Sequence, residues 1–132
     1  MRGTETILLA EDEPLVRQMA VISLKSLGYT VLDAESGEAA MRLVGRKENL
    51  LDLLITDVVM PNISGMELAR QVRLIYPDLR VLYRSGYTDD AIVRSGEFTS
   101  HDGFLQKPFT PVRLARKVQE LLHSGSVGSE GS

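Results

Sequence analysis

The sequence predicts an α/β protein with a parallel sheet and helices on both of its faces. Two observations carry this. Five short apolar segments alternate strictly with five longer segments of helical period, and two of the short segments are apolar almost throughout. Alternation of this kind closes as right-handed crossovers onto a parallel sheet. Continuous apolar runs suit central strands that are covered on both sides.

The first strand is predicted over residues 6–10, where Thr6-Ile7-Leu8-Leu9-Ala10 carries no charge. A helix follows from Pro14, with Val16, Ala20, Leu24 and Leu27 on one face and Gly28 as its stop. The second strand covers 30–34. A shorter helix after Ser36 turns Ala39, Ala40, Leu43 and Val44 inward. The third strand, 53–56, is the second of the apolar runs. The next helix opens on Ser64-Gly65-Met66-Glu67, a capping-box pattern, and shows Leu68, Ala69, Val72 and Ile75 as its buried stripe. It should stop before Pro77. Strand four covers 80–84, a short helix is expected over 88–94, and strand five covers 103–106. The last helix is predicted over 111–122. Thr110 caps it, Pro111 takes the first turn, and Pro111, Leu114, Ala115, Val118, Leu121 and Leu122 share a face.

Composition bounds the function classes. The 132 residues fit one domain, and 43% hydrophobic with 25% charged residues is ordinary for a soluble globular protein. A net charge of -3 gives no reason to expect nucleic-acid or acidic-membrane binding. The absence of cysteine excludes disulfides, thiol catalysis and sulfur-ligated metals. No apolar run approaches the roughly 18–20 residues that span a bilayer, and no cleavable signal opens the chain. A cytoplasmic protein is therefore expected, with one domain over 1–123 and a flexible Gly/Ser-rich tail over 124–132.

In an open parallel sheet, ligands collect beyond the carboxyl ends of the strands, where the strand order reverses. Strand one ends in Glu11-Asp12-Glu13, strand three in Asp57, strand four in Ser85 and strand five in Lys107-Pro108. Carboxylates brought together there repel one another, and a hard divalent cation relieves the repulsion. Glu11, Asp12 and Asp57 thus form a candidate metal site with open positions. A metal beside a carboxylate permits phosphoryl transfer to that carboxylate, with Asp57 as nucleophile. Lys107 adds positive charge from the other side, and the Ser85 hydroxyl can donate to a phosphoryl oxygen. Glu13 is read as a negative charge at the start of the first helix. Ser64 is read as a helix cap.

The segments Ile7-Leu-Leu-Ala-Glu-Asp-Glu-Pro14, Thr56-Asp-Val-Val-Met-Pro61 with Ser64-Gly65, Ser85-Gly86-Tyr87, and Phe104-Leu-Gln-Lys-Pro-Phe109 resemble the response-regulator receiver family. The resemblance covers residues 5–123. It implies a flavodoxin-like (βα)5 fold with strand order 2-1-3-4-5. It also implies Asp57 as phosphoacceptor, Glu11 and Asp12 as the acidic pair organising Mg2+ (or Mn2+), and the backbone carbonyl of Val59 as a further metal ligand. Ser85 becomes the switching hydroxyl, Phe104 the switch aromatic and Lys107 the phosphate-facing lysine, with a cis Lys107-Pro108 bond. The implied donor is a phosphohistidine on a histidine kinase or histidine phosphotransfer protein. The implied output surface, also the candidate homodimer surface, is the face made by the helix at 88–94, strand five and the last helix. The protein is then a phosphoacceptor rather than an enzyme acting on a separate substrate. Gly3-Thr4-Glu5-Thr6-Ile7-Leu8 and Ser85-Gly86-Tyr87-Thr88-Asp89-Asp90 resemble receivers carried at the C-terminus of hybrid sensor histidine kinases.

Two positions depart from the family pattern. Ala10 stands where a bulkier aliphatic residue is usual, and Arg84 where an apolar one is. A buried arginine needs a partner, so Arg84 is expected to be partly exposed or to mark a partner surface. Three rival functions fit less well. A flavodoxin-type phosphate binder wants a Ser/Thr/Gly-rich loop after strand one, not three acids. A phosphohydrolase with an aspartyl-phosphate intermediate wants a second Asp two residues after the nucleophile, where this chain has Val59. A receiver-shaped module that only binds partners would have lost the acids or the lysine.

Overall fold

The computed structural model describes residues 5–46, 51–85, 102–106 and 108–128. Among these, five strands, β1 (Thr6–Ala10), β2 (Thr30–Ala34), β3 (Leu53–Asp57), β4 (Arg80–Ser85) and β5 (Asp102–Gln106), form one sheet. The order is β2-β1-β3-β4-β5 and every pairing is parallel. Four helices are described: α1 (Pro14–Lys25), α2 (Gly37–Arg46), α3 (Gly65–Arg73) and α4 (Pro111–Gly128). The helix expected over 88–94 lies outside the described residues.

Side-chain alternation along the strands builds two cores. Ile7 and Leu9 of β1, with Leu53 and Ile55 of β3, pack with Ala20 and Leu24 of α1 and Leu114 and Val118 of α4. Leu8 and Ala10, with Leu54, pack on the opposite face with Ala40 and Val44 of α2 and Leu68, Ala69 and Val72 of α3. Both faces of β1 and β3 are covered, so every residue of these two strands is buried. That burial is why they read as unbroken apolar runs.

The helix ends show where local signals and packing disagree. α1 ends at Lys25, and the chain reaches Gly28 through tight turns in which Leu27 and Gly28 donate to the Leu24 and Lys25 carbonyls. Gly28 stands at φ 99°, a conformation that glycine adopts without steric cost. α3 ends at Arg73, before Ile75 is reached, so Ile75 is 53% exposed and not part of the buried stripe. Its capping box forms by half. Ser64 Oγ accepts from the Glu67 N–H at 3.1 Å, but the Glu67 carboxylate turns to Arg70 and Gln71. Those partners hold the Glu67 carboxyl down at about 2, hydrogen bonding from Arg70 being the larger cause. Thr110 caps α4 as expected, accepting from the Arg113 N–H at 3.2 Å, while Pro111 is exposed and not on the packed face. α4 runs to Gly128, past the tail boundary expected at Ser124. Adding a residue to an existing helix needs no new nucleus.

Candidate functional site

Strand order reverses between β1 and β3, whose neighbours β2 and β4 lie on opposite sides. The residues following β1 and the end of β3 therefore flank the switch point. Glu11 is held there by its own backbone, since its N–H donates to the Ala34 carbonyl at the end of β2. Arg17 of α1 returns to the Glu11 carbonyl at 2.7 Å. Asp57 closes β3, and its carbonyl accepts the Thr56 hydroxyl at 3.0 Å. The chain beyond it is pinned twice: the Val58 N–H donates to the Arg84 carbonyl, and the Val58 carbonyl accepts from Gly65.

Glu11, Asp12 and Asp57 offer carboxylate oxygens that all lie within 4.8 Å of one another. Glu11 and Asp57 are buried, at 2% and 3% exposure, while Asp12 is open to solvent. Hard oxygen donors at this spacing, with one side facing water, suit Mg2+ or Mn2+, which keep waters and accept an incoming phosphate oxygen. The donor set fits such an ion. Val59 follows in the loop after β3 and is 56% exposed.

Arg84 is where the structure corrects the sequence reading. Its side chain is neither partly exposed nor turned to a partner surface; the residue is 6% exposed and lies inside the acidic cluster. Nε donates to Glu11 Oε1 at 2.7 Å and Nη2 to Glu11 Oε2 at 2.8 Å, a two-pronged grip on one carboxylate. The same Nη2 donates to Asp57 Oδ2 at 2.8 Å and to Glu13 Oε1 at 3.2 Å. Two hydrogens on Nη2 thus serve three acceptors. Burial would push the guanidinium down, but the Asp57 charge and the Glu11 and Glu13 contacts outweigh it and hold Arg84 above its ordinary range. The Phe109 ring stands 5.9 Å from the guanidinium carbon. Glu13 is therefore more than a charge at the start of α1, because it also touches the arginine.

The signal for Arg84 was present in the chain. Of the two arginines in β4, Arg84 is the one level with the acids that end two other strands, where a buried cation finds its partners across the sheet. Asp57 and Arg84 are register partners in β3 and β4.

Of the remaining expected site residues, Ser85 ends β4 opposite Gln106 of β5. Phe104 is partly buried and stacks on Tyr83 with centroids 5.5 Å apart. Lys107, and with it the expected cis bond to Pro108, lies outside the described residues. No helix among the described residues is long and apolar enough to cross a membrane.

A family model described as the response regulator receiver domain matches residues 7–119. The sensor kinase CckA of Brucella abortus is 40% identical over 122 residues, which are 92% of this chain and 13% of that protein. The response regulator receiver protein CpdR of the same organism is 34% identical over 116 residues, 88% of this chain and 95% of that protein. The solved structure of response regulator TrrA from Thermotoga maritima, in complex with Mg(2+)-BeF, superimposes with a TM-score of 0.74 at 29% identity. It covers 90% of this chain and 100% of that one.

Proposed function

Because the chain belongs to the response regulator receiver family, whose members are the receiver domains of two-component signalling, we propose that Asp57 accepts a phosphoryl group from a phosphohistidine. The observation that carries this is the cluster of Glu11, Asp12 and Asp57 carboxylates at the switch point of the sheet. Glu11, Asp12, Asp57 and the Val59 carbonyl would hold Mg2+ or Mn2+; the Mg(2+)-BeF complex of TrrA supports that choice. When bound, the ion offsets the negative charge of the acids and of the incoming phosphoryl oxygens.

Asp57 needs no general base, since a carboxylate is ionised near neutral pH. One of its oxygens bonds to phosphorus as the phosphorus–nitrogen bond of the donor breaks. The electron pair leaves with the imidazole, which takes its proton from solvent. Burial of Asp57 excludes bulk water from the acyl phosphate that forms. Lys107 then meets the new charge, and Ser85 donates a hydroxyl to it. Phe104 moves into the space Ser85 leaves, which alters the face made by the 88–94 segment, β5 and α4. That face recruits the partner, or a second copy of the domain. The donor is a histidine kinase or histidine phosphotransfer protein, and the setting is cytoplasmic. The chain spans 13% of CckA's length, so a place within a hybrid kinase is part of the same proposal.

Intact-protein mass after incubation with acetyl phosphate, with and without Mg2+, tests this. The expected result is a metal-dependent, hydroxylamine-labile phosphoryl adduct that Asp57→Asn abolishes. An adduct of equal yield on Asp57→Asn would overturn the assigned acceptor.

A further inference from the structure

The guanidinium of Arg84 grips two of the three carboxylates that make up the proposed metal site, and the two occupants want the same atoms. Both Glu11 oxygens are engaged by its fork, and Glu11 Oε2 also accepts from the Glu13 N–H at 3.0 Å. Asp57 Oδ2 is engaged at 2.8 Å. A Mg2+ ion draws its oxygen ligands to about 2.0–2.1 Å. It would then stand against a buried like charge that is itself within hydrogen-bond distance of those oxygens.

We propose that Arg84 is a tethered competitor of the divalent ion, a cation built into β4 that holds Glu11 and Asp57 until metal displaces it. This rests on the metal-assisted phosphoacceptor reading of the same site. The guanidinium alone can offset only one negative charge, whereas the cluster presents three carboxylates, so the site still attracts a second cation. Displacement need not expel the side chain into bulk water. Glu13, with its carboxylate more than half exposed, and the ring of Phe109 both lie within its present reach and offer resting places beside the acids.

Two consequences follow. Metal affinity is set lower than the carboxylates alone would give. Metal entry also moves the residue that immediately precedes Ser85, so ion occupancy and the switching hydroxyl are coupled through one peptide bond before any phosphoryl group arrives.

The test measures Mn2+ dissociation constants of the whole chain by calorimetry and by the electron paramagnetic resonance of free Mn2+, with no phosphodonor present. Arg84→Met should bind Mn2+ about tenfold more tightly than the wild type, the size of one charge-assisted hydrogen bond no longer surrendered. Arg17→Met removes a neighbouring charge that meets the Glu11 carbonyl and the Asp33 carboxylate but no carboxylate of the cluster, and it should change affinity by less than about twofold. Arg84→Lys keeps the charge without the fork and should tighten binding by a few fold, which serves if Arg84→Met does not fold. Unchanged or weaker binding by the Arg84 variants overturns the competition, as does equal tightening by Arg17→Met. Binding by none of these proteins overturns it together with the metal part of the proposed function, and an intact wild-type affinity separates the two failures.

Discussion

Gly65 shows how the lack of one atom fixes the position of Asp57, the proposed acceptor. A Cβ built there would lie 1.8 Å from the Asp57 carbonyl oxygen and 2.9 Å from its carbon, both backbone atoms that cannot rotate aside. The close approach lets the Gly65 N–H reach the Val58 carbonyl at 2.9 Å, tying the start of α3 to the loop that leaves Asp57. Gly65→Ala should therefore cost about 3 kcal/mol, the upper end of ordinary overpacking. A urea titration checks this, and labelling of the surviving folded fraction should fall as well because Asp57 is shifted. The Ser64-Gly65 pair was legible in the sequence as a cap and a motif position. The clash was not, because it comes from β3 passing within contact of the α3 N-terminus.

At the scale of elements, the helices are fixed by local chemistry at their amino ends and by packing along their lengths. Ser64→Ala removes the hydrogen bond to the Glu67 N–H and should cost about 1 kcal/mol, read as a lower melting temperature. Loss of the cap leaves Glu67 paired with Arg70 and Gln71, since those contacts do not pass through Ser64. The amino ends of the strands carry their own polar ties, away from the acidic cluster. Asp52 Oδ2 accepts from the Thr6 N–H at 2.8 Å, and Arg73 joins Asp102 at 2.7 Å and the Leu79 carbonyl at 2.9–3.0 Å. The charges at that end cross-link the sheet, whereas those at the carboxyl end converge on one cluster. Strand positions were readable because apolar runs and turn residues are local. The end of α3 was not, because whether Ile75 is buried depends on where the helix stops relative to the sheet.

Across the whole molecule, stability rests on two cores that share the central strands. Leu54 is fully buried and faces the α2–α3 side, while its neighbours Leu53 and Ile55 face α1 and α4. Leu54→Ala should cost about 2–5 kcal/mol, the range for a buried leucine whose surroundings cannot collapse. Equilibrium unfolding in urea measures it. Addition of Mg2+ should restore part of that loss, because an ion that binds only the folded chain stabilises it by mass action. The acids that would bind it come from separate strand ends, so only the closed sheet assembles them.

The alternating architecture, the central strands and the identity of the acids at the strand ends are all written in the order of residues along the chain. Periodicity and strand-end chemistry are properties of neighbours along the chain, which is why they can be read without coordinates. The position of Arg84 level with the acids could be read from the chain, but its burial and its particular partners came from the tertiary structure. Its side chain meets Glu11, Glu13 and Asp57, residues 27 to 73 positions away, through a register that brings β3 and β4 level with the end of β1. A buried cation takes whichever carboxylates the fold places around it, and that placement is a property of the sheet and not of the strand.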